Sequence, residues 1–285
     1  MKVLYVTNSV GMGGDSVALI NILEYLTKDN VTPLVTCPAV GTFSDKLKKM
    51  NIPFVVIGSP LEIYPHIYSW RSYIKYPYSI LRLILKRHFA YKKLCSCIEQ
   101  FKPDIIHTNV GPIHIGYLAA IKYGIPHIWH IREYQKEDFD MSPFPSMNIF
   151  LKRIHDKHNH CVCITKGIFK HFKLDSTKDR VIYDGVIEKN DVKPINKNKV
   201  PYILFAGRLE EAKGIKELLY AYNQYALKGG KFNLYIAGKG DDNYKKECLH
   251  ILTDRTKGKV RLLGECEHSK IYGLMYDAMA LVVPS

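Results

Sequence analysis

Two cations five residues apart, Arg208 and Lys213, follow the apolar run Tyr202-Ile203-Leu204-Phe205-Ala206 and the Gly207 that ends it. Such a run reads as a buried strand. Gly214 then opens a helical pattern carried by Ile215, Leu218, Leu219 and Tyr222. Arginine supplies a planar fork of donors and lysine a compact charge. A helix N-terminus adds free N–H groups and about +0.5 of an elementary charge. Together they suit a diphosphate. Taken alone, the two side chains read sooner as solvated loop charges, and the rest of the chain has to decide.

Other residues could share that chemistry. His130 and Arg132 stand two apart at the end of the apolar run His127–Ile131, so both point to the same side of a strand. Glu133 follows them, and Asn109 sits just past the strand Asp104–His107, on the same predicted rim. Gly13 and Gly14, in the loop Asn8–Asp15, let the backbone approach a ligand at the start of the first helix; a glycine turn with no ligand is the alternative. Gly238-Lys239-Gly240 follows Leu234–Ala237, and Gly264-Glu265-Cys266 follows Arg261-Leu262-Leu263. Both are strand–loop–helix turns at a carboxyl edge. A nicotinamide site is disfavoured. Gly11-x-Gly13-x-x-Ser16 lacks its third glycine, and Cys37-Pro38 stands where an acidic residue should close the second strand.

Strands and helices must alternate to position these groups. The first half predicts strands at Val3–Thr7, Pro33–Thr36, Phe54–Ile57, Asp104–His107, His127–Ile131, His160–Ile164 and Arg180–Tyr183, with helices at Val17–Leu26, Phe43–Met50 and Ile115–Lys122. That spacing means a parallel sheet covered on both faces. Glu188–Val200, polar and Pro-punctuated, reads as a linker between residues 1–188 and 201–285. The alternation restarts with strands at Tyr202–Ala206, Phe232–Ala237, Val260–Leu263 and Leu281–Val283, and helices at Ile215–Ala226, Asp242–Thr253 and Ser269–Met275. Four strands are fewer than the usual five or six, so the second domain reads as incomplete at Ser285.

Composition narrows the partners. The chain has 285 residues, 41 Lys+Arg against 27 Asp+Glu and a formal charge of +14, which favours an anionic partner. Seven scattered cysteines, including two Cys-x-Cys pairs without zinc spacing, read as free thiols in a reducing cytosol, with no metal site. The opening residues turn polar too soon for a signal peptide. No 18-residue apolar run could cross a bilayer. Between Glu62 and Glu99 there is no acid, while Arg71, Lys75, Arg82, Lys86, Arg87, Lys92 and Lys93 alternate with aromatic residues. Leu81, Ile84, Leu85 and Phe89 add a helical apolar stripe. Residues 64–93 therefore fit an anionic membrane surface, or else a basic helix whose stripe packs on the first domain. No recognised nucleic-acid motif accompanies the charge, so nucleic acid is not the expected partner.

FAGRLEEAKGIKELLYAY, residues 205–222, resembles the G-R-L-x-x-x-K-G signature of family 4 glycosyltransferases, retaining enzymes of the two-domain GT-B fold. Blocks at Pro103–Asn109, Ile125–Glu133, Arg180–Ile187, Leu234–Asp241 and Val260–Ser285, with the opening glycine loop, are similar to family blocks in the same order. The resemblance implies two Rossmann-like domains facing a cleft, the second incomplete, and sugar transfer from a nucleotide diphosphate sugar with no metal or other cofactor. It implies that Arg208 and Lys213 bind the donor diphosphate, with Gly13 and Gly14 beside it. The Gly238–Gly240 and Glu265–Cys266 loops then face the nucleoside. His130, Arg132 and Asn109 are the implied catalytic group. Arg132-Glu133 stand where many members have His-Asp, and Asp184-Gly185 where they have Asn-Gly. The paired glutamates of the family lie beyond Ser285. Two readings follow: a cytoplasmic transferase, peripheral at the inner membrane face, acting on a polysaccharide or lipid-linked acceptor in surface polysaccharide synthesis; or a catalytically incomplete fragment or partner subunit serving as a binding module. An epimerase of the same fold is a third.

Overall fold

A computed structural model describes residues 1–185 and 202–284. The chain divides into two compact units, Met1–Val186 and Ile187–Ser285. The expected linker Glu188–Val200 lies outside the described residues.

The first unit runs β1 (Lys2–Val6), α1 (Gly14–Leu26), β2 (Thr32–Cys37), α2 (Thr42–Lys49), β3 (Phe54–Val56), α3 (Trp70–Phe101), β4 (Ile105–Thr108) and α4 (Ile115–Tyr123). It continues with β5 (His127–Ile131), α5 (Lys136–Phe139), α6 (Met147–Ile154), β6 (Asn159–Cys163), α7 (Lys166–His171) and β7 (Arg180–Val181). All seven strands are parallel, in the order β3-β2-β1-β4-β5-β6-β7. Alternation along β1 explains the two-faced core. Val3 and Tyr5 pack with Leu19, Leu23, Phe43 and Leu47 on one face. Leu4 and Val6 pack with Leu94, Ile98, Ile106 and Ala119 on the other. The strand order reverses between β1 and β4, so their carboxyl ends flank the crevice where such sheets bind ligands.

The second unit runs β8 (Tyr202–Ala206), α8 (Ile215–Leu227), β9 (Asn233–Ala237), α9 (Asp242–Leu249), α10 (Asp254–Lys257), β10 (Val260–Gly264), α11 (His268–Asp277) and β11 (Ala280–Leu281). Its sheet is parallel in the order β10-β9-β8-β11. Phe205, Leu234 and Ile236 meet Ile215, Leu219 and Tyr222 of α8 in its core.

Three expectations are corrected. The helix expected over Asp242–Thr253 stops at Leu249, and α10 starts separately after Thr253. The α8 residue Asn223 accepts hydrogen bonds from the Thr253 amide (3.4 Å) and the Thr256 hydroxyl (2.6 Å), which fixes the new start. The strand expected over Arg180–Tyr183 pairs only through Arg180 and Val181. The apolar stripe Leu81–Ile84–Leu85–Phe89 belongs to a 32-residue helix, α3, capped by the Ser69 hydroxyl, which accepts from the Ser72 amide. It does not pack on the domain. All four residues are exposed, as are Trp70, Tyr73 and Ile74, while Leu83, Ala90, Leu94, Cys97 and Ile98 form the docked face. Arg87 leaves the basic surface as well. It pairs with Glu62, which is fully buried and also accepts from the His114 amide at 2.8 Å.

No described helix is long and apolar enough to cross a membrane.

Candidate active site

In the first unit, β1, β4, β5 and the segment after β7 bring the predicted rim residues together. Asn109, held by its amide to the Val6 carbonyl at 2.9 Å, is fully buried. Its side-chain amide donates to the Asp15 carbonyl at 3.2 Å, and its Oδ1 accepts from Arg132 Nε at 3.2 Å. Arg132 Nη1 donates to both carboxylate oxygens of Asp184, at 2.8 and 2.6 Å. Its side chain is 6% exposed. Arg132 Nη2 lies 3.4 Å from His130 Nδ1. An arginine can only donate, so His130 Nδ1 accepts and the proton of the neutral ring sits on Nε2. Burial, then the Arg132 charge, pushes the His130 pKa down to about 2, so this ring stays neutral. His107 stacks on it at 5.5 Å and is pushed down to about 3 by burial and then Arg132.

This geometry changes the roles expected of His130, Arg132 and Asn109. They do form one constellation, but its members bond to one another and are out of solvent. It ties four carboxyl-end segments into one piece and ends on the backbone of the glycine loop. That loop is held from its other side by Ser9, which hydrogen-bonds to the Asp15 carboxylate and to Thr7 Oγ1 (2.8 Å). Gly13 caps α1; its amide donates to Ser16 Oγ at 2.6 Å, and a Cβ there would sit 2.9 Å from Asp15 Oδ1. At Gly14 a Cβ would meet nothing within 4 Å. Packing inside the unit therefore does not demand glycine at 14, and the exposed α1 N-terminus stays open to an incoming group.

Two further acids belong to this rim. Asp184, expected only to stand where family members have Asn, is the first acid after β7 and the partner of Arg132. Glu133 is the other of the two. It is buried, its Oε1 accepts the Gly111 amide at 2.7 Å, and burial raises its pKa to about 7 against the pull of that amide.

In the second unit, three loops at the carboxyl edge interlock. Gly238 adopts φ +153, and a Cβ on it would lie 1.8 Å from the Gly207 carbonyl oxygen. A Cβ on Gly240 would lie 2.5 Å from Leu209 Cβ. The Leu209 amide donates to the Lys239 carbonyl (2.8 Å), and the Gly238 amide to the Gly264 carbonyl (2.7 Å). Close approach of backbone to backbone explains both glycines. On this frame Arg208 is 68% exposed, 3.1 Å from Glu210. Lys213 ends a short 3-10 turn, followed by Gly214 at φ +62 as the N-cap of α8. Lys239 pairs with Glu265 at 3.6 Å. Cys266 is half-buried beside the Gly264 carbonyl. Three cations thus stand on the loops at one sheet edge, with the start of α8 beside them. An exposed, loosely paired arginine retains its donors for a ligand.

Among the described residues, no group of three or more His, Cys, Asp or Glu side chains is arranged to hold a metal ion.

Residues 12–189 match the family model described as Glycosyltransferase Family 4, and residues 186–285 match the one described as Glycosyl transferases group 1. No curated protein matches the sequence. Among solved structures, HepE of Anabaena in complex with UDP superposes with a TM-score of 0.71 at 18% identity, covering 100% of this chain and 74% of that one. A glycosyltransferase of Rickettsia africae gives 0.69 at 19%, covering 100% and 73%. The UDP-GlcNAc 2-epimerase of Neisseria meningitidis, bound to UDP-GlcNAc, gives 0.60 at 18%, covering 100% and 78%. At such identities the likeness shows the fold: GT-B-like, with Rossmann-like units.

Proposed function

The chain belongs to the glycosyltransferases that these two family models describe, and on that premise we propose that it transfers a sugar, with retention of configuration, from a nucleotide diphosphate donor to a polysaccharide or lipid-linked acceptor in surface polysaccharide synthesis. The observation that carries the reading is the carboxyl edge of the second sheet. There, glycine-locked loops hold Arg208, Lys213 and Lys239 beside the start of α8. As the bond between the sugar's anomeric carbon and the diphosphate oxygen breaks and the acceptor hydroxyl oxygen, giving up its proton, bonds that carbon, negative charge grows on the departing diphosphate. Preorganised cations and backbone N–H groups stabilise that charge without reorganising at the moment of reaction. Arg208 grips the diphosphate with its fork and Lys213 neutralises it. The loops of Gly238–Gly240 and Glu265–Cys266 face the nucleoside. No resident cofactor takes part; the nucleotide sugar is substrate.

In the first unit, Gly13 and Gly14 present the α1 N-terminus to the donor. His130, Arg132 and Asn109 act as positioning residues that set the height and rigidity of that loop. Leaving Gly14 free of packing demands supports this assignment.

The acceptor is membrane-borne, and the protein works as a peripheral protein on the cytoplasmic face. The support is α3. Trp70, Tyr73, Ile74, Leu81 and Phe89 are exposed along it, and Arg71, Lys75, Arg82, Lys86, Lys92 and Lys93 are interspersed. Each basic residue near an anionic leaflet contributes about 1 kcal/mol, so a few engaged together suffice for reversible binding.

Titration calorimetry with UDP, GDP and their sugars, on the wild type and on Arg208→Ala, tests the donor assignment. Heat with one nucleotide that weakens in the variant is the expected result. Absence of heat with every nucleotide overturns the reading. Product analysis with and without a glycan acceptor separates transfer from epimerisation.

A further inference from the structure

An open depression lies on the first unit, where the start of α3 meets the segment after β5. It measures about 380 Å³ and is lined by Tyr64, His66, Ile67, Tyr76, Asp140 and Ser142. It is open to solvent, and its lining sets aromatic side chains beside a few polar groups. One wall comes from α3, through Tyr76. The opposite wall comes from the segment that leaves β5, through Asp140 and Ser142.

The floor is well held. The Tyr64 amide donates to the Ser142 carbonyl at 2.8 Å, the Phe144 amide to the Glu62 carbonyl at 2.8 Å, and Ile63 bridges Pro143 in antiparallel fashion. The Tyr64 hydroxyl donates to the Pro145 carbonyl at 2.8 Å, and its ring meets Phe144 edge-on at 5.3 Å. Tyr64 is therefore a fixed ring face with its hydroxyl already engaged. His66 stacks on Tyr68 at 5.4 Å and lies 3.9 Å from Asp140. Lys136 also pairs with Asp140 and, with its hydrogen bond, holds that carboxyl below its usual range, so an anionic acceptor is present.

Planar ring faces beside a carboxylate, an imidazole and a hydroxyl match one ligand chemistry. A sugar ring lays its C–H face on an aromatic side chain and offers hydroxyl donors to charged acceptors. A carboxylate supplies acceptors, which suit the hydroxyl donors of a sugar. The location adds a second argument. Tyr68, just before α3, and Trp70 and Tyr73, in its first turn, are exposed aromatic residues that lie next to the lining residues in sequence. Interfacial aromatic rings sit at headgroup depth. A saccharide carried on a lipid would present its ring at that depth.

We infer that this cavity is a subsite for a neutral sugar ring of the acceptor, with Tyr64 and Tyr76 as stacking faces and Asp140 as hydroxyl acceptor. The inference rests on the glycosyltransferase reading above and names where the acceptor is recognised.

Saturation-transfer NMR with the methyl glycosides of glucose, galactose and N-acetylglucosamine tests it on the full chain, with UDP and GDP titrated in parallel. At least one glycoside gives a signal on the wild type. Asp140→Asn and Tyr76→Ala each weaken that signal about tenfold, the loss of one charge-assisted hydrogen bond or one ring contact, while nucleotide binding is unchanged. Asp140 is largely exposed, so the asparagine variant retains the fold. If a nucleotide binds but no glycoside does, or if the glycoside signal survives both substitutions, the subsite is overturned while the donor reading stands. If neither nucleotide nor glycoside binds, both fail.

Discussion

Arg132 grips Asp184 through a two-pronged salt bridge, 2.8 and 2.6 Å, that is almost out of solvent on the arginine side. Arg132 follows β5, and Asp184 lies on the exit from β7, with β6 between the two strands. The pair thus clamps the last described residues of the first unit to the rim that also holds Asn109 and His130.

Removing Asp184 leaves Arg132 as an unpaired buried charge. Asp184→Ala is expected to cost about 3–5 kcal/mol of stability. Arg132→Met added to it recovers a large part of that loss, because no orphan charge remains. Urea denaturation of the two singles and the double reads the cycle. Equal losses in single and double would contradict the clamp.

Glu133 makes stability depend on pH. Its pKa rises from 4.5 to about 7 in the folded chain, chiefly by burial. The folded state therefore binds its proton more tightly than the unfolded one does. This contribution is complete below about pH 4.5, falls as pH rises toward 7, and levels off above. The span is worth about 3 kcal/mol. In Glu133→Gln, which cannot ionise, that part of the slope disappears from the pH dependence of unfolding.

Glycines at the two edges should behave in opposite ways. Gly238→Ala forces a side chain to within 1.8 Å of a carbonyl oxygen at a positive φ, so it is expected to destabilise the second unit by about 3 kcal/mol or more. Gly14→Ala meets open space, so stability stays within about 0.5 kcal/mol. Its nucleotide affinity nevertheless drops. Thermal melts and calorimetry on both variants check the contrast.

Arg208→Ala is expected to leave stability within about 1 kcal/mol, since its partner Glu210 forms only a surface pair. Nucleotide diphosphate affinity falls about tenfold or more. A variant with normal affinity removes Arg208 from the donor site.

The exposed stripe of α3 gives a further test. Leu81→Asp with Phe89→Asp abolishes sedimentation with anionic vesicles and leaves helical circular dichroism unchanged, because both side chains face outward. Leu94→Asp, on the docked face, disrupts the fold instead. Vesicle binding that survives the double substitution argues against this surface.

Much of this was legible from residues alone. Alternating apolar runs predict both parallel sheets, because strand–helix spacing has few other solutions. The Arg208 and Lys213 edge could be read since a strand, a glycine and a helix start are local in sequence. What escaped is non-local. Nothing near Arg132 reveals that Asp184, 52 residues on, would take its guanidinium. The stripe on α3 has the period of a docked face, yet Ala90 and Leu94, one step round the helix, do the docking. Period fixes which residues share a face, and only packing decides which face turns inward. The break between α9 and α10 likewise depends on Asn223, which lies one helix earlier.

The cysteines carry a practical consequence. Cys37, Cys95, Cys97, Cys161, Cys163 and Cys248 are buried, and burial pushes the thiols of Cys37 and Cys163 up to about 11 and 12, far from the reactive thiolate. Cys266 alone is partly open, on the loop after β10. A maleimide fluorophore added to the native protein should therefore settle on one position. The molecule carries its own attachment point for an optical probe within a loop assigned to the nucleoside, and the dye's response to each nucleotide could be followed without engineering a single residue.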